Sequence, residues 1–91
     1  MIPVILATND ELYSKELKAT DFNWILYENP PQEFRAKARI RYRQEEQWAT
    51  VKVIDNKNVI IEFDEPQRAI AKGQAVVLYL DDIVVGGGTI I

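Results

Sequence analysis

From Arg35 to Arg43 every second residue is a cation (Arg35, Lys37, Arg39, Arg41, Arg43), and the residues between them, Ala36, Ala38, Ile40 and Tyr42, are apolar. Side chains alternate sides of a strand with a period of two, so this pattern predicts a strand with one buried face and one basic face. At about 3.3 Å per residue the stripe is about 26 Å long, comparable with a run of several nucleic-acid phosphates. No acid interrupts it. Five of the 11 Lys and Arg fall in these nine residues, although the chain as a whole carries a formal charge of −3. The cationic field is concentrated, and a partner with regularly spaced anions is the first to consider.

The 91 residues are enough for one small domain, with room for a remnant of another. With 47% hydrophobic and 27% charged residues and no low-complexity tract, the chain is expected to pack a core. Cysteine and histidine are both absent. That removes disulfides, thiolate metal sites and cysteine nucleophiles, together with the commonest general base and zinc ligand, so no catalytic or metal site is expected. The apolar start, Met1 to Ala7, is too short for a signal peptide core or a membrane span. A cytoplasmic setting without membrane attachment is the expectation. A pI near 4.9 argues against general nucleic-acid stickiness, so any RNA binding should use one face, as part of something larger.

Along the chain, Ile2 to Ala7 is β-rich, and Thr8-Asn9-Asp10-Glu11 has capping-box spacing that allows a helical turn over Asp10 to Tyr13. Lys15 to Ile25 has strand character with Leu17 and Ala19 on one parity and Phe22 and Trp24 on the other, which a bulge near Thr20-Asp21 would reconcile. Asn29-Pro30-Pro31 is the strongest break and places a linker there. The basic strand, Phe34 to Gln44, leads through a polar exit at Glu45-Glu46-Gln47 to a second strand, Trp48 to Ile54. After a turn at Asp55 to Asn58 comes a third, Val59 to Asp64, with Val59, Ile61 and Phe63 inward. These three form an antiparallel meander. Turns follow at Glu65 to Arg68 and Ala71 to Gln74. Ala75 to Leu80 is nearly all apolar, as in a barrel wall, then come Ile83 to Val85, three glycines and Thr89 to Ile91. The fold class is all-β: a small antiparallel six-stranded barrel.

Two readings of the basic face stay open: a ligand track, or a solvated surface whose cations pair across strands with Glu62 and Asp64. Gly86-Gly87-Gly88 lacks the helix and Lys of a phosphate loop and reads as a close backbone approach. Asp81-Asp82 reads as a hairpin tip. Trp24, Trp48, Phe34, Tyr42 and Phe63 are candidate stacking surfaces, most needed for the core. Trp48, beside the polar exit loop, stays open. Gln67 and Arg68 are placed on an exposed turn, either within reach of a ligand or with Arg68 closing the turn or pairing with Glu65.

Four strings, Ile40-Arg41-Tyr42-Arg43-Gln44, Glu62-Phe63-Asp64-Glu65-Pro66-Gln67-Arg68-Ala69, Gly73-Gln74-Ala75-Val76-Val77 and Val85-Gly86-Gly87-Gly88, resemble the C-terminal domain of the tRNA-specific 2-thiouridylase (MnmA/TrmU) family. Glu11-Leu12-Tyr13-Ser14 and Phe22-Asn23-Trp24-Ile25 extend the resemblance over nearly the whole chain. It implies a parent enzyme that uses ATP to activate the wobble uridine of certain tRNAs and replaces its 2-oxygen with sulfur. In that family the ATP loop and catalytic cysteines belong to the N-terminal domain. The resemblance therefore implies a non-catalytic piece without its own cofactor: residues 1–29 ending the central domain, and residues 30–91 forming a barrel like the second domain of translation elongation factors. Leu26-Tyr27-Glu28-Asn29 departs from the family pattern before the prolines, and Glu45-Glu46 departs after the arginines. The expected partners are tRNA, at its anticodon arm, and the N-terminal catalytic domain. The expected RNA contacts are Arg39, Arg41, Arg43, Gln44, Gln67 and Arg68. The alternative is a protein interaction module whose arginines pair with acids of the catalytic domain or another subunit.

Overall fold

The computed structural model describes residues 13–40, 45–68 and 70–91. They form six strands: β1 (Tyr13–Trp24), β2 (Glu33–Arg39), β3 (Gln47–Val53), β4 (Val59–Arg68), β5 (Ala75–Leu80) and β6 (Ile83–Ile90). These close into an antiparallel barrel in the order β1-β4-β3-β2-β5-β6. Among the described residues there is no helix, and so none long and apolar enough to cross a membrane. The expected all-β six-stranded barrel is the fold observed.

Period-two patterning explains most of the wall. Ala36, Ala38, Ala49, Val51, Val59, Ile61, Phe63, Val76 and Leu78 are buried, each separated by an outward residue. The expected meander is present as the β2–β3 and β3–β4 pairs, with Ala36 opposite Ala49 and Ala49 opposite Phe63. The Phe63 ring thus lies against small residues, which is how a narrow barrel fills without strain. Asp55 shapes the β3–β4 turn by accepting from the N–H groups of Lys57 and Asn58 (2.8 and 2.9 Å). The Lys57 N–H and the Asn58 side chain hold its carboxyl below the usual carboxylate range.

β1 changes parity where expected. Its pairing with β6 slips between Thr20 and Asn23, Asp21 takes a φ of 53°, and both Ala19 and Phe22 face inward. The Phe22 ring needs room on β6, and the glycines supply it. A Cβ on Gly86 would lie 2.5 Å from the Asn23 carbonyl oxygen and 2.9 Å from the Phe22 ring, and one on Gly88 would lie 2.8 Å from both the ring and the Thr20 carbonyl oxygen. The glycine triplet is a close backbone approach inside a continuous strand, rather than a break between two segments.

One expectation is corrected. Glu65 to Arg68 is not a turn: β4 runs to Arg68, and the chain accommodates Pro66 where the β1–β4 register shifts and a missing N–H costs no ladder bond. The basic strand ends at Arg39 in the described residues, and 41–44 lie outside them, as do Ile2 to Ala7 and most of the expected turn at Asp10 to Tyr13. β1, which precedes the Asn29-Pro30-Pro31 break, pairs with β4 on one edge and with β6 on the other. Removing β1 would open the barrel. Residues 25–32 cross one barrel end to reach β2. Ile25 and Leu26 donate to the Val85 carbonyl, Gln32 accepts from Val53, and Tyr27 packs edge-on against Phe34 (5.6 Å). Phe34 also meets Trp24, which meets Phe22, so an aromatic cluster plugs this end.

Candidate nucleic-acid interface

β2 lies between β3 and β5, so its outward side chains are flanked on both sides. Lys37 is in register with Trp48 of β3 and with Tyr79 of β5. Its ammonium sits 5.4 Å from the Trp48 ring centroid. Arg35 lies 5.5 Å from the same ring, and Arg39 lies 5.4 Å from the Tyr79 ring while donating to its hydroxyl at 3.1 Å. A cation over an aromatic face is attracted by the ring quadrupole.

The acids on this surface are engaged selectively. Arg35 donates to both Asp64 oxygens at 2.6 Å and to Thr50 Oγ1 at 3.1 Å, reaching across β3 to β4. Lys52 stands 4.0 Å from Glu62. Among the described residues no carboxylate lies within 4.0 Å of Lys37. The solvated-face reading therefore describes Arg35, and the stripe divides between Arg35, paired with Asp64, and Lys37, which rests on the Trp48 ring.

The hydrogen bonds from Arg35 hold the Asp64 carboxyl below its ordinary range, and those to Asp64 raise the Arg35 guanidinium. A carboxylate depressed in the folded state adds stability above its unfolded pKa and loses it as pH falls through the folded pKa. An NMR titration of Asp64 is expected to show a midpoint on the acid side of ordinary aspartate that moves back up in Arg35→Ala. An unmoved midpoint would show that the pair does not persist in solution.

Of the expected contacts, Arg39 is on the outer face of β2, and the backbone of Arg68 is at the end of β4, opposite Tyr13. Arg41, Arg43 and Gln44 lie outside the described residues. Gln67 does not fit its expected place. It is only 8% exposed, and its side-chain amide donates to the Glu65 carbonyl at 2.9 Å, because the strand continues here and turns the residue inward. Tyr79 was missed. Its signal was the one polar-tipped side chain in an apolar run, and its partner Lys37 is 42 positions away by number and meets it only through barrel closure.

The fold and surface define a closed antiparallel β-barrel domain with one cationic, aromatic-bearing outer face. A model described as the aminomethyltransferase β-barrel domain matches residues 14–90. The chain is similar to tRNA-specific 2-thiouridylases MnmA: 46% identical over 87 residues to that of Koribacter versatilis, 53% over 79 to that of Shouchella clausii, and 44% over 80 to that of Francisella tularensis subsp. novicida. These matches take in 96%, 87% and 88% of this chain but only 24%, 22% and 22% of the relatives. The chain belongs to the aminomethyltransferase β-barrel domain family, as the C-terminal barrel of the 2-thiouridylase type. It spans about a quarter of the length of the curated relatives it matches.

Proposed function

We propose that this barrel holds tRNA for a parent 2-thiouridylase and takes no chemical step itself. The observation that carries the reading is the outer face of β2, where Lys37 and Arg39 are set on aromatic rings while nearby acids are engaged by Arg35 and Lys52. Arg39 marks the start of a phosphate track that Arg41, Arg43 and Gln44 continue, with Arg68 near the same rim of the barrel. Gln67 supports that rim from inside. Phosphate contacts give affinity and register but little sequence information, so choice of uridine falls to the catalytic part of the parent. ATP and the sulfur-carrying groups belong there too. Gly86-Gly87-Gly88 is a strand segment packed on β1, with neither the helix N-terminus nor the free loop that would seat a nucleotide phosphate.

A second reading rests on a different surface. Ile25, Ile54 and Ile83 are all more than half exposed, and the topology gathers them at the end crossed by residues 25–32. That apolar end suits docking against the rest of the parent protein in the cytoplasm, with the β2 face left for RNA at the anticodon arm. A photo-crosslinking residue at position 37 of a full-length protein tests whether the β2 face meets RNA or docks on protein. The proposed function predicts a crosslink to tRNA, and a crosslink to protein alone would contradict it.

A further inference from the structure

We propose that Trp48 is a stacking platform for one unpaired nucleobase of the bound RNA, a subsite that rests on the RNA reading of the β2 face and goes beyond a phosphate track. Trp48 is outward on β3, with 47% of its surface in solvent, while the other tryptophan, Trp24, is packed against Phe22 and Phe34. The barrel packs one indole partly into its end cluster and leaves this one on the outer face.

The surroundings of Trp48 are built. Arg35, held in two directions by Asp64 and Thr50, lies against the indole at 5.5 Å, and Lys37 approaches it at 5.4 Å. Because Arg35 is neutralised by Asp64, its contribution is to position the ring rather than to bind a phosphate. Lys37 divides its register between Trp48 on one side and Tyr79 on the other, so the three strands present an aromatic, cation, aromatic row. Strands are spaced about 4.8 Å apart, which puts the two aromatic backbones about 10 Å apart. That is too far to sandwich one base. It suits a base lying on Trp48 while its phosphate meets Lys37 and the next reaches Arg39. A paired base has both faces covered by its neighbours, so the ligand is an unstacked nucleotide of a loop or single strand.

The test uses a full-length 2-thiouridylase carrying this domain and an unmodified tRNA transcript, with Kd measured across a salt series. Trp48→Ala is expected to weaken binding about 5- to 100-fold without changing the slope of log K against log salt, because stacking releases no counterions. Trp48→Phe should keep most of the affinity, and Trp48→Leu, which keeps apolar bulk without a π face, should resemble Trp48→Ala. Wild-type binding by Trp48→Ala or Trp48→Leu would overturn the stacking site. If Lys37→Ala and Arg39→Ala still flatten the slope in that case, the phosphate track stands alone. If they do not, the RNA reading falls with it.

Discussion

Phe63→Ala is expected to lower the unfolding free energy of the domain by about 3–5 kcal/mol. The ring is 1% exposed and lies opposite Ala49, which is itself opposite Ala36, so one inward row across β4, β3 and β2 reads large, small, small. Alanines cannot swing into the space that a missing phenyl leaves, and the cavity would stay open. A 91-residue domain has about 5–14 kcal/mol of stability in all, so a large share would go. Urea denaturation measures it: the midpoint should fall with the m-value unchanged, and a loss under about 1 kcal/mol would mean that the ring is not the centre of the core.

Gly86→Ala carries the second large effect for the opposite reason. The added methyl would meet the Asn23 carbonyl oxygen and the Phe22 ring at distances no relaxed structure holds, so β1 and β6 must part where they close the barrel. Overpacking of this kind costs about 1–3 kcal/mol and more when backbone blocks the way. Gly73→Ala is the control. Its φ of +89° strains any side chain, but nothing lies within 4 Å of the added Cβ, so about 1 kcal/mol is expected. Denaturation midpoints in the reverse order would show that backbone conformation, rather than the Phe22 approach, requires the glycines.

These two sites also show what could be read in the chain. Alternation in β2 and β4 is local, and it placed Ala36, Ile61 and Phe63 inward without any knowledge of the partner strands. The parity change between Ala19 and Phe22 announced the β1 bulge in the same way. What alternation could not supply was closure. Asn29-Pro30-Pro31 marked a break, but that β1 before it completes the wall could not be read, because edge pairing with β6 is a relation between residues more than 60 positions apart. The same limit hid Tyr79 and misplaced Gln67. For the interface, the sequence showed the cations and the competing acids, but only the folded sheet showed that Arg35, in register with Thr50 and Glu62, reaches diagonally to Asp64.

That division of the stripe is the central claim, and a salt series on full-length protein and tRNA tests it most directly. Removing one cation that neutralises a phosphate should reduce the slope of log K against log salt by about 0.7 to 0.9. Lys37→Ala is expected to reduce the slope by about one such step, whereas Arg35→Ala with Asp64→Asn, which removes a pair already neutral, is expected to leave it unchanged. An unchanged slope in Lys37→Ala, or an equal fall in the double variant, would contradict it.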